Sequence, residues 1–197
     1  MNKKKQILRQ VFKEKRRCLS PSDQQKKSQQ IVQHIQQSNV FKNAKKIGFY
    51  HAVRGEADPA QLAQLKQQGQ SKHFYLPVIS ENQTTALSFV PLTSETKYQN
   101  NQYGIPEPIF DNSNLINVKQ LDLLIMPLLG FDKRGNRLGM GGGFYDRCLA
   151  YKQQSPQQKP LLIGFAYDFQ EVDSLQAEKW DIRLDGIATE SGLILLD

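Results

Sequence analysis

The chain has 197 residues, and we expect residues 1–197 to form one domain with a substantial hydrophobic core. Hydrophobic residues make up 39% of the chain and no long stretch lacks them, which excludes a large disordered region. The net charge of +7 arises within residues 1–17, where eight Lys and Arg stand against one acid. This uneven distribution argues against a uniformly basic nucleic-acid-binding protein.

Cysteine usage and hydropathy favour a cytoplasmic protein. Cys18 and Cys148 are far apart and lack metal-ligand spacing, so we expect free thiols in a reducing cytosol. The N-terminus is charged and lacks the apolar core of a secretory signal. The longest apolar run, residues 123–131, is too short to span a bilayer and contains Pro127. We therefore expect no membrane partner.

Two helices are predicted first. Residues 3–18 carry an apolar stripe that we expect to face inward, with cations on the other faces. The stripe consists of Ile7, Leu8, Val11 and Phe12. Ser20 and Pro21 supply an N-cap and a first helical residue for a second helix, which runs to about Gln37. Its inward-facing residues are Ile31, Val32 and Ile35.

The cations of the first helix allow three interpretations. They could contact the phosphates of a small ligand, bind RNA, or form only a solvated face. Lys5 and Arg9 are four residues apart and therefore lie on the same side of the helix.

Strands and helices alternate in the middle of the chain. A strand at residues 46–50 leads into a polar turn at residues 51–56, and Asp58 begins a helix. We expect this helix to bury Leu62 and Leu65 and to stop near Gly69. Short strands are predicted at residues 73–79 and 86–92.

Residues 93–120 are predicted to be a long connection with little regular structure. One glycine and two prolines exclude a helix at residues 103–108. A connection of this length inside a compact domain is often functional.

Residues 121–126 form the strongest predicted strand. They are apolar except for Asp122, which indicates a central strand covered on both faces. The remaining elements are a helix at residues 144–152 and strands at residues 161–166, 186–189 and 193–196. We therefore expect an α/β, three-layer, Rossmann-like fold, with a mostly parallel central sheet and helices on both faces. Ligands collect at the carboxyl ends of such strands, which here precede residues 51–56, 128–143 and 167–181.

The glycine-rich loop at residues 130–147 is the leading candidate for ligand binding. Little side-chain bulk and many free backbone N–H groups suit it to phosphate oxygens, so we expect a nucleoside triphosphate here. The loop matches neither the Walker A pattern nor the dinucleotide fingerprint, since Phe144 stands where the latter needs glycine. Asp146 could hold Mg²⁺ near the phosphates. It could equally be a helix-start acid that interacts with the helix dipole.

The motifs around this loop resemble the signature of the 5-formyltetrahydrofolate cyclo-ligase (5,10-methenyltetrahydrofolate synthetase) family. The likeness is strongest at residues 126–132 and in the glycine-rich run at residues 135–146. Other elements occur in the expected order, at residues 5–9, 49–56, 105–108 and 181–189. The similarity spans nearly the whole chain.

The resemblance implies an enzyme that uses ATP and Mg²⁺ to close 5-formyltetrahydrofolate to 5,10-methenyltetrahydrofolate. The γ-phosphoryl group would activate the formyl oxygen, N10 would attack, and ADP and phosphate would leave. It also implies a monomeric cytoplasmic protein whose partners are ATP and the formyl-folate, possibly polyglutamylated, and not nucleic acid.

The resemblance also implies a role for each site residue. Tyr145 and Arg137 would be catalytic, Asp146 and Asp181 would hold Mg²⁺, and His51 and Glu56 would bind the folate. The ATP-binding set would be Lys5, Arg9, Arg137, Leu138, Gly139, Met140, Gly141, Gly142, Gly143 and Phe144. The chain departs from the family pattern at Met140, Phe144 and Trp180, where other residue types are usual. Asp185 is expected to support a turn.

Two other functions remain open at this stage. The chain could act on another formyl or amide compound with the same nucleotide site, although Glu56 stands where the folate enzyme needs it. It could also be an RNA-binding module built on residues 1–17, although the interleaved aromatic residues of a single-strand platform are missing there.

Overall fold

The computed structural model describes residues 3–64, 72–79 and 87–196. The helices in this part of the chain are α1 (Lys3–Arg17), α2 (Pro21–Gln37), α3 (Asn39–Asn43), α4 (Gln61–Gln64) and α5 (Phe144–Cys148). The strands are β1 (Lys46–Gly48), β2 (His73–Ile79), β3 (Leu87–Pro91), β4 (Tyr98–Asn100), β5 (Pro106–Pro108), β6 (Leu123–Pro127), β7 (Gly130–Phe131), β8 (Arg137–Leu138), β9 (Leu161–Phe165), β10 (Gly186–Thr189) and β11 (Gly192–Leu195).

A central sheet organises the described residues, with seven strands in the order β11-β10-β9-β6-β1-β2-β3. The five inner strands pair in parallel, and β3 and β11 add antiparallel edges. The predicted α/β fold with a mostly parallel sheet is therefore confirmed. No helix in the described ranges combines the length and the apolar character needed to cross a membrane.

The central strand β6 shows why the sheet is covered on both faces. Its side chains alternate between two hydrophobic clusters, as the period of two in a strand requires. Leu123 and Ile125 pack into the cluster under α2, while Leu124 and Met126 pack into the cluster that contains Leu149 of the segment after α5. A strand that is apolar on both faces is stable only when buried in this way.

Helix α2 begins as its sequence predicts. The Ser20 side chain accepts a hydrogen bond from the backbone N–H of Asp23, and the proline at position 21 opens the helix. Ile31, Val32 and Ile35 are buried against the sheet.

Helix α1 keeps only part of its predicted orientation, because Phe12 is buried and Leu8 packs into the same cluster as predicted. Ile7 and Val11 are 55% and 42% exposed, so the predicted inward stripe is wrong for these two residues. Phe12 is buried over Gly130, where an added Cβ would lie 2.8 Å from its ring. The inward face also carries Arg9 and Arg16, which donate to the carbonyls of Gly139 and Leu128.

Other boundaries differ more modestly from the expectations. Helix α5 ends at Cys148 and a 3-10 turn covers Ala150–Gln153, so the predicted helix at 144–152 is interrupted. The connection at residues 93–120 contains the antiparallel β4–β5 pair and two short 3-10 turns, which is more regular structure than predicted. The predictions for Leu65, Gly69 and residue 86 lie outside the described residues.

The β7–β8 hairpin is held by a fully buried carboxylate, Asp132. It accepts hydrogen bonds from the backbone N–H groups of Arg134, Asn136 and Leu175. Burial alone would raise the pKa of Asp132, but hydrogen bonds from Asn136, Leu175 and Arg134 outweigh it and lower the pKa below its ordinary value.

We predict that Asp132→Ala lowers the free energy of unfolding by about 3 kcal/mol, because buried N–H groups lose their acceptor. Since the folded pKa is lowered, this stabilisation is complete above the unfolded pKa, near 3.9, and is lost as pH falls through the folded value. Urea unfolding at pH 7 and pH 3 measures both effects. Exposed Asp173→Ala is the matched control, and equal losses in the two variants would contradict the role of Asp132.

Candidate active site

The glycine-rich loop lies at the carboxyl end of β6. The β7–β8 hairpin comes first, closed by a 2.7 Å hydrogen bond from the Leu129 N–H to the Leu138 carbonyl. Gly141 and Gly143 then adopt positive φ angles of 102° and 65°, a backbone region that favours glycine. The Leu138 side chain is buried, so this residue offers a ligand only its backbone. Met140 is 48% exposed.

Helix α1 brings two cations to this loop. The Arg9 Nε donates to the Gly139 carbonyl at 2.8 Å. The Lys5 Nζ lies 3.2 Å from Glu178 and 3.5 Å from Asp181. The structure therefore places Lys5, Arg9, Asp181 and the loop together, although Lys5 and Asp181 are 176 positions apart in sequence.

Asp146 and Arg137 form the second part of the same charge cluster. The Arg137 Nη2 lies 2.5 Å from Asp146 Oδ1, and its Nη1 donates to the Ile182 carbonyl. The Ile182 N–H donates to Asp146 Oδ1 at 3.1 Å. Asp146 thus contacts the backbone of the residue that follows Asp181, so the two carboxylates flank one short segment.

Glu56 lies in the turn after β1 and is partly buried. Its Oε1 is 3.4 Å from Arg16 Nη1, and its Oε2 accepts the Val53 N–H at 3.2 Å. Burial raises the pKa of this carboxyl group, and the Arg16 guanidinium opposes that rise. Sequence reasoning missed Arg16, because nothing distinguishes it from the other cations of residues 1–17.

Tyr145 lies in α5, one residue before Asp146. Burial raises the pKa of its hydroxyl, and the charges of Cys148 and Glu56 raise it further, while Arg137 lowers it. Its phenol is therefore a neutral hydrogen-bond donor at physiological pH, within the electrostatic reach of both Glu56 and Arg137.

His51 lies just after β1. It is exposed, and its ring is 6.0 Å from that of Tyr98. Both residues line a cleft of about 430 Å³ between the end of β1, α4 and the segment after β3. The residues that line this cleft include neither Glu56 nor the glycine loop.

Two further residues at the site were missed from sequence. Glu178 reaches Lys5, and its only sequence signal is that it stands three positions before Asp181. Tyr103, in the turn between β4 and β5, sets its ring edge-on to Phe144 at 6.0 Å, and its carbonyl accepts Arg54 Nη2 at 3.3 Å. The long connection therefore reaches both the glycine loop and the Glu56 turn, which agrees with the functional role expected of its length.

Fold and site together define an α/β protein with a glycine-rich loop and paired charges at the carboxyl edge of its sheet. A model of the 5-formyltetrahydrofolate cyclo-ligase family matches residues 1–190, and the chain belongs to this family. The resemblance noted in the sequence is thereby confirmed, and the chain is an enzyme of the cyclo-ligase type.

Individual relatives agree with this assignment. The 5-formyltetrahydrofolate cyclo-ligase of Haemophilus influenzae is 37% identical over 92% of this chain and 95% of its own length. That of Escherichia coli K12 is 35% identical over 92% and 97%. The solution structure of Aquifex aeolicus 5,10-methenyltetrahydrofolate synthetase is similar with a TM-score of 0.80 and 30% identity, covering 98% of this chain and 92% of that one. The Mycoplasma pneumoniae synthetase structure has a TM-score of 0.69 at 28% identity, covering 94% and 98%.

Proposed function

We propose that the chain catalyses the ATP- and Mg²⁺-dependent closure of 5-formyltetrahydrofolate to 5,10-methenyltetrahydrofolate, with release of ADP and phosphate. Family membership supports the reaction, and the charge cluster beside a glycine-rich loop supports the use of ATP. We also propose that it acts as a cytoplasmic monomer on folates with or without a polyglutamate tail, and that it needs neither a membrane nor a nucleic-acid partner.

The ATP half of the site is proposed to lie between α1 and the glycine loop. Lys5, Arg9 and Arg137 would hold the phosphates, and residues 138–144 would wrap the nucleotide through backbone groups. All three cations contact protein oxygens, namely those of Glu178, Asp181, Asp146, Gly139 and Ile182. Phosphate oxygens would replace these partners, which keeps the cations paired throughout binding.

Asp146 and Asp181 are proposed to hold Mg²⁺. Two carboxylates beside one backbone segment suit this ion, which is usually bound by one or two carboxylates together with phosphate oxygens and water. Residues 3–64, 72–79 and 87–196 contain no cluster of three or more His, Cys, Asp or Glu that could hold a metal. Phosphate oxygens and water would supply the remaining ligands of an ion bound here. Its contribution would be to neutralise charge on the phosphates.

The folate half is proposed to lie at Glu56, with His51 further along the same side. A carboxylate suits the paired N–H groups of a pterin ring, because it accepts two parallel hydrogen bonds. Tyr145 is proposed to serve both halves as a neutral donor that would orient the formyl group or the transferred phosphate.

The chemistry requires alignment more than a protein nucleophile. A formyl amide carbon is a poor electrophile and its oxygen is a poor leaving group. Transfer of the γ-phosphoryl group to that oxygen releases ADP and creates a good leaving group. N10 of the same folate then attacks the formyl carbon and releases its proton to solvent, the carbon–oxygen bond breaks, and phosphate leaves with the oxygen. Lys5, Arg9 and Arg137 would stabilise the phosphate charge during these steps.

The convergence of α1, the glycine loop and the segment around Asp181 is the observation that carries this proposal. Purified protein with ATP, Mg²⁺ and 5-formyltetrahydrofolate should give the methenyl product, followed by its near-ultraviolet absorbance. Omission of ATP, or chelation of Mg²⁺, should abolish the signal. A folded protein that binds ATP and forms no product would contradict the proposal.

A further inference from the structure

Arg16 is a buried cation whose position the reaction chemistry alone does not explain. It is 3% exposed and lies on the inward face of α1. Its Nη1 contacts Glu56, its Nη2 donates to the Leu128 carbonyl, and its Nε is buried without a partner in the described residues. Burying a cation lowers the stability of a protein unless the cation is paired. We therefore expect Arg16 to have a function that offsets this loss.

The turn that carries Glu56 packs closely against α1 at Arg16. Gly55 has a φ of 73°, and an added Cβ there would lie 3.1 Å from the Arg16 carbonyl oxygen. Arg16 therefore contacts the turn through both its backbone and its guanidinium. Leu128, at the end of the central strand, anchors the other side of the guanidinium.

These contacts leave the Glu56 carboxylate ready to accept a ligand. Oε1 takes one donor from Arg16 and Oε2 takes one from the Val53 N–H. A carboxylate has about four lone-pair sites, so each oxygen keeps capacity for a second donor. Both oxygens are thus held in place, and each keeps unused capacity to accept a hydrogen bond.

We propose that Arg16 is a positioning residue for the folate half of the site, holding Glu56 as an oriented acceptor for the paired N–H groups of the pterin. This inference rests on the function proposed above. In this proposal one helix, α1, contributes to both halves of the site. Lys5 and Arg9 contact the ATP half, and Arg16 contacts the folate half.

The charged and titratable groups around Glu56 predict a pH effect. Arg16 faces it from α1, Arg54 from its own turn, Tyr50 from the end of β1 and Tyr145 from α5. Burial raises the pKa of Glu56, and Arg16 is the strongest opposing influence. Without Arg16 the carboxyl group would stay protonated to higher pH, and one of its oxygens would then carry a proton that opposes a ligand N–H group.

The test compares Arg16→Met with Arg17→Met, an exposed neighbour on the same helix. Arg16→Met should raise the KM for 5-formyltetrahydrofolate by about 10-fold or more and leave the KM for ATP within about two-fold. The acid limb of kcat/KM for the folate should move to higher pH. Arg16→Lys keeps the charge but not the two-armed contact, so it should be intermediate. Arg17→Met should match the wild type.

A double-mutant cycle separates positioning from a general structural role. If Arg16 acts through Glu56, adding Arg16→Met to Glu56→Gln should change the folate KM no further. Arg16→Lys provides the same comparison if Arg16→Met fails to fold, as judged by circular dichroism. Independent effects in the double variant, or equal rises in both KM values with an unmoved pH profile, would overturn the inference while the wild type stays active. An inactive wild type would instead overturn the proposed function, and this inference with it.

Discussion

Replacing Asp146 with asparagine should lower turnover of 5-formyltetrahydrofolate by about 100-fold or more while the protein stays folded. Asparagine keeps a side-chain oxygen that can accept the Ile182 N–H, which holds the segment after Asp181 in place. It removes the negative charge proposed to bind Mg²⁺ and now paired with Arg137. The loss should therefore fall on metal-dependent chemistry and spare the fold.

The Asp146→Asn effect is measured as kcat over a Mg²⁺ titration, with thermal unfolding as the check on folding. The half-saturating Mg²⁺ concentration should rise together with the fall in kcat. Asp173→Asn, an exposed acid outside the cluster, is the control and should match the wild type. Unchanged turnover in Asp146→Asn would remove Asp146 from the metal site.

Replacing Glu56 with glutamine should raise the KM for 5-formyltetrahydrofolate by about 100-fold, with the KM for ATP within about two-fold. Glutamine has nearly the same shape, but one carboxylate oxygen becomes an NH₂ group that faces the N–H donors of the pterin. The glutamine side chain can then accept a hydrogen bond from one of the two N–H groups, and its NH₂ group repels the second.

Steady-state kinetics with each substrate varied in turn would test the Glu56 prediction. Glu95→Gln makes the same chemical change at an exposed position and should have no effect. Weaker ATP binding with unchanged folate binding would show that Glu56 does not belong to the folate half of the site.

Local patterns in the sequence predicted much of the fold, because burial of a strand and capping of a helix depend on residues that are close together in the chain. The apolar run that includes β6 is stable only when both of its faces are buried. The Ser20 side chain caps a helix that begins at the next residue, so this hydrogen bond depends on nearby sequence alone. Leu8 and Phe12 on the inward face of α1 could be predicted in this way, but Arg9 and Arg16 on the same face could not. The positions of these two cations depend on the carbonyls of Gly139 and Leu128, which belong to distant parts of the chain.

The same distinction applies to the site. Family resemblance pointed to Lys5, Asp146 and Asp181, and the structure brings these residues to one edge of the sheet. The pairing of Arg16 with Glu56 spans 40 positions and leaves no local pattern, since Arg16 is one of eight cations in residues 1–17.

The fate of the formyl oxygen tests the central claim most directly. 5-Formyltetrahydrofolate labelled with ¹⁸O in the formyl group is converted in unlabelled water with ATP and Mg²⁺, and the released phosphate is analysed by mass spectrometry. Phosphoryl transfer to the formyl oxygen predicts one ¹⁸O atom in the inorganic phosphate for each methenyl product formed. Unlabelled phosphate, with the label released into water, would contradict the account.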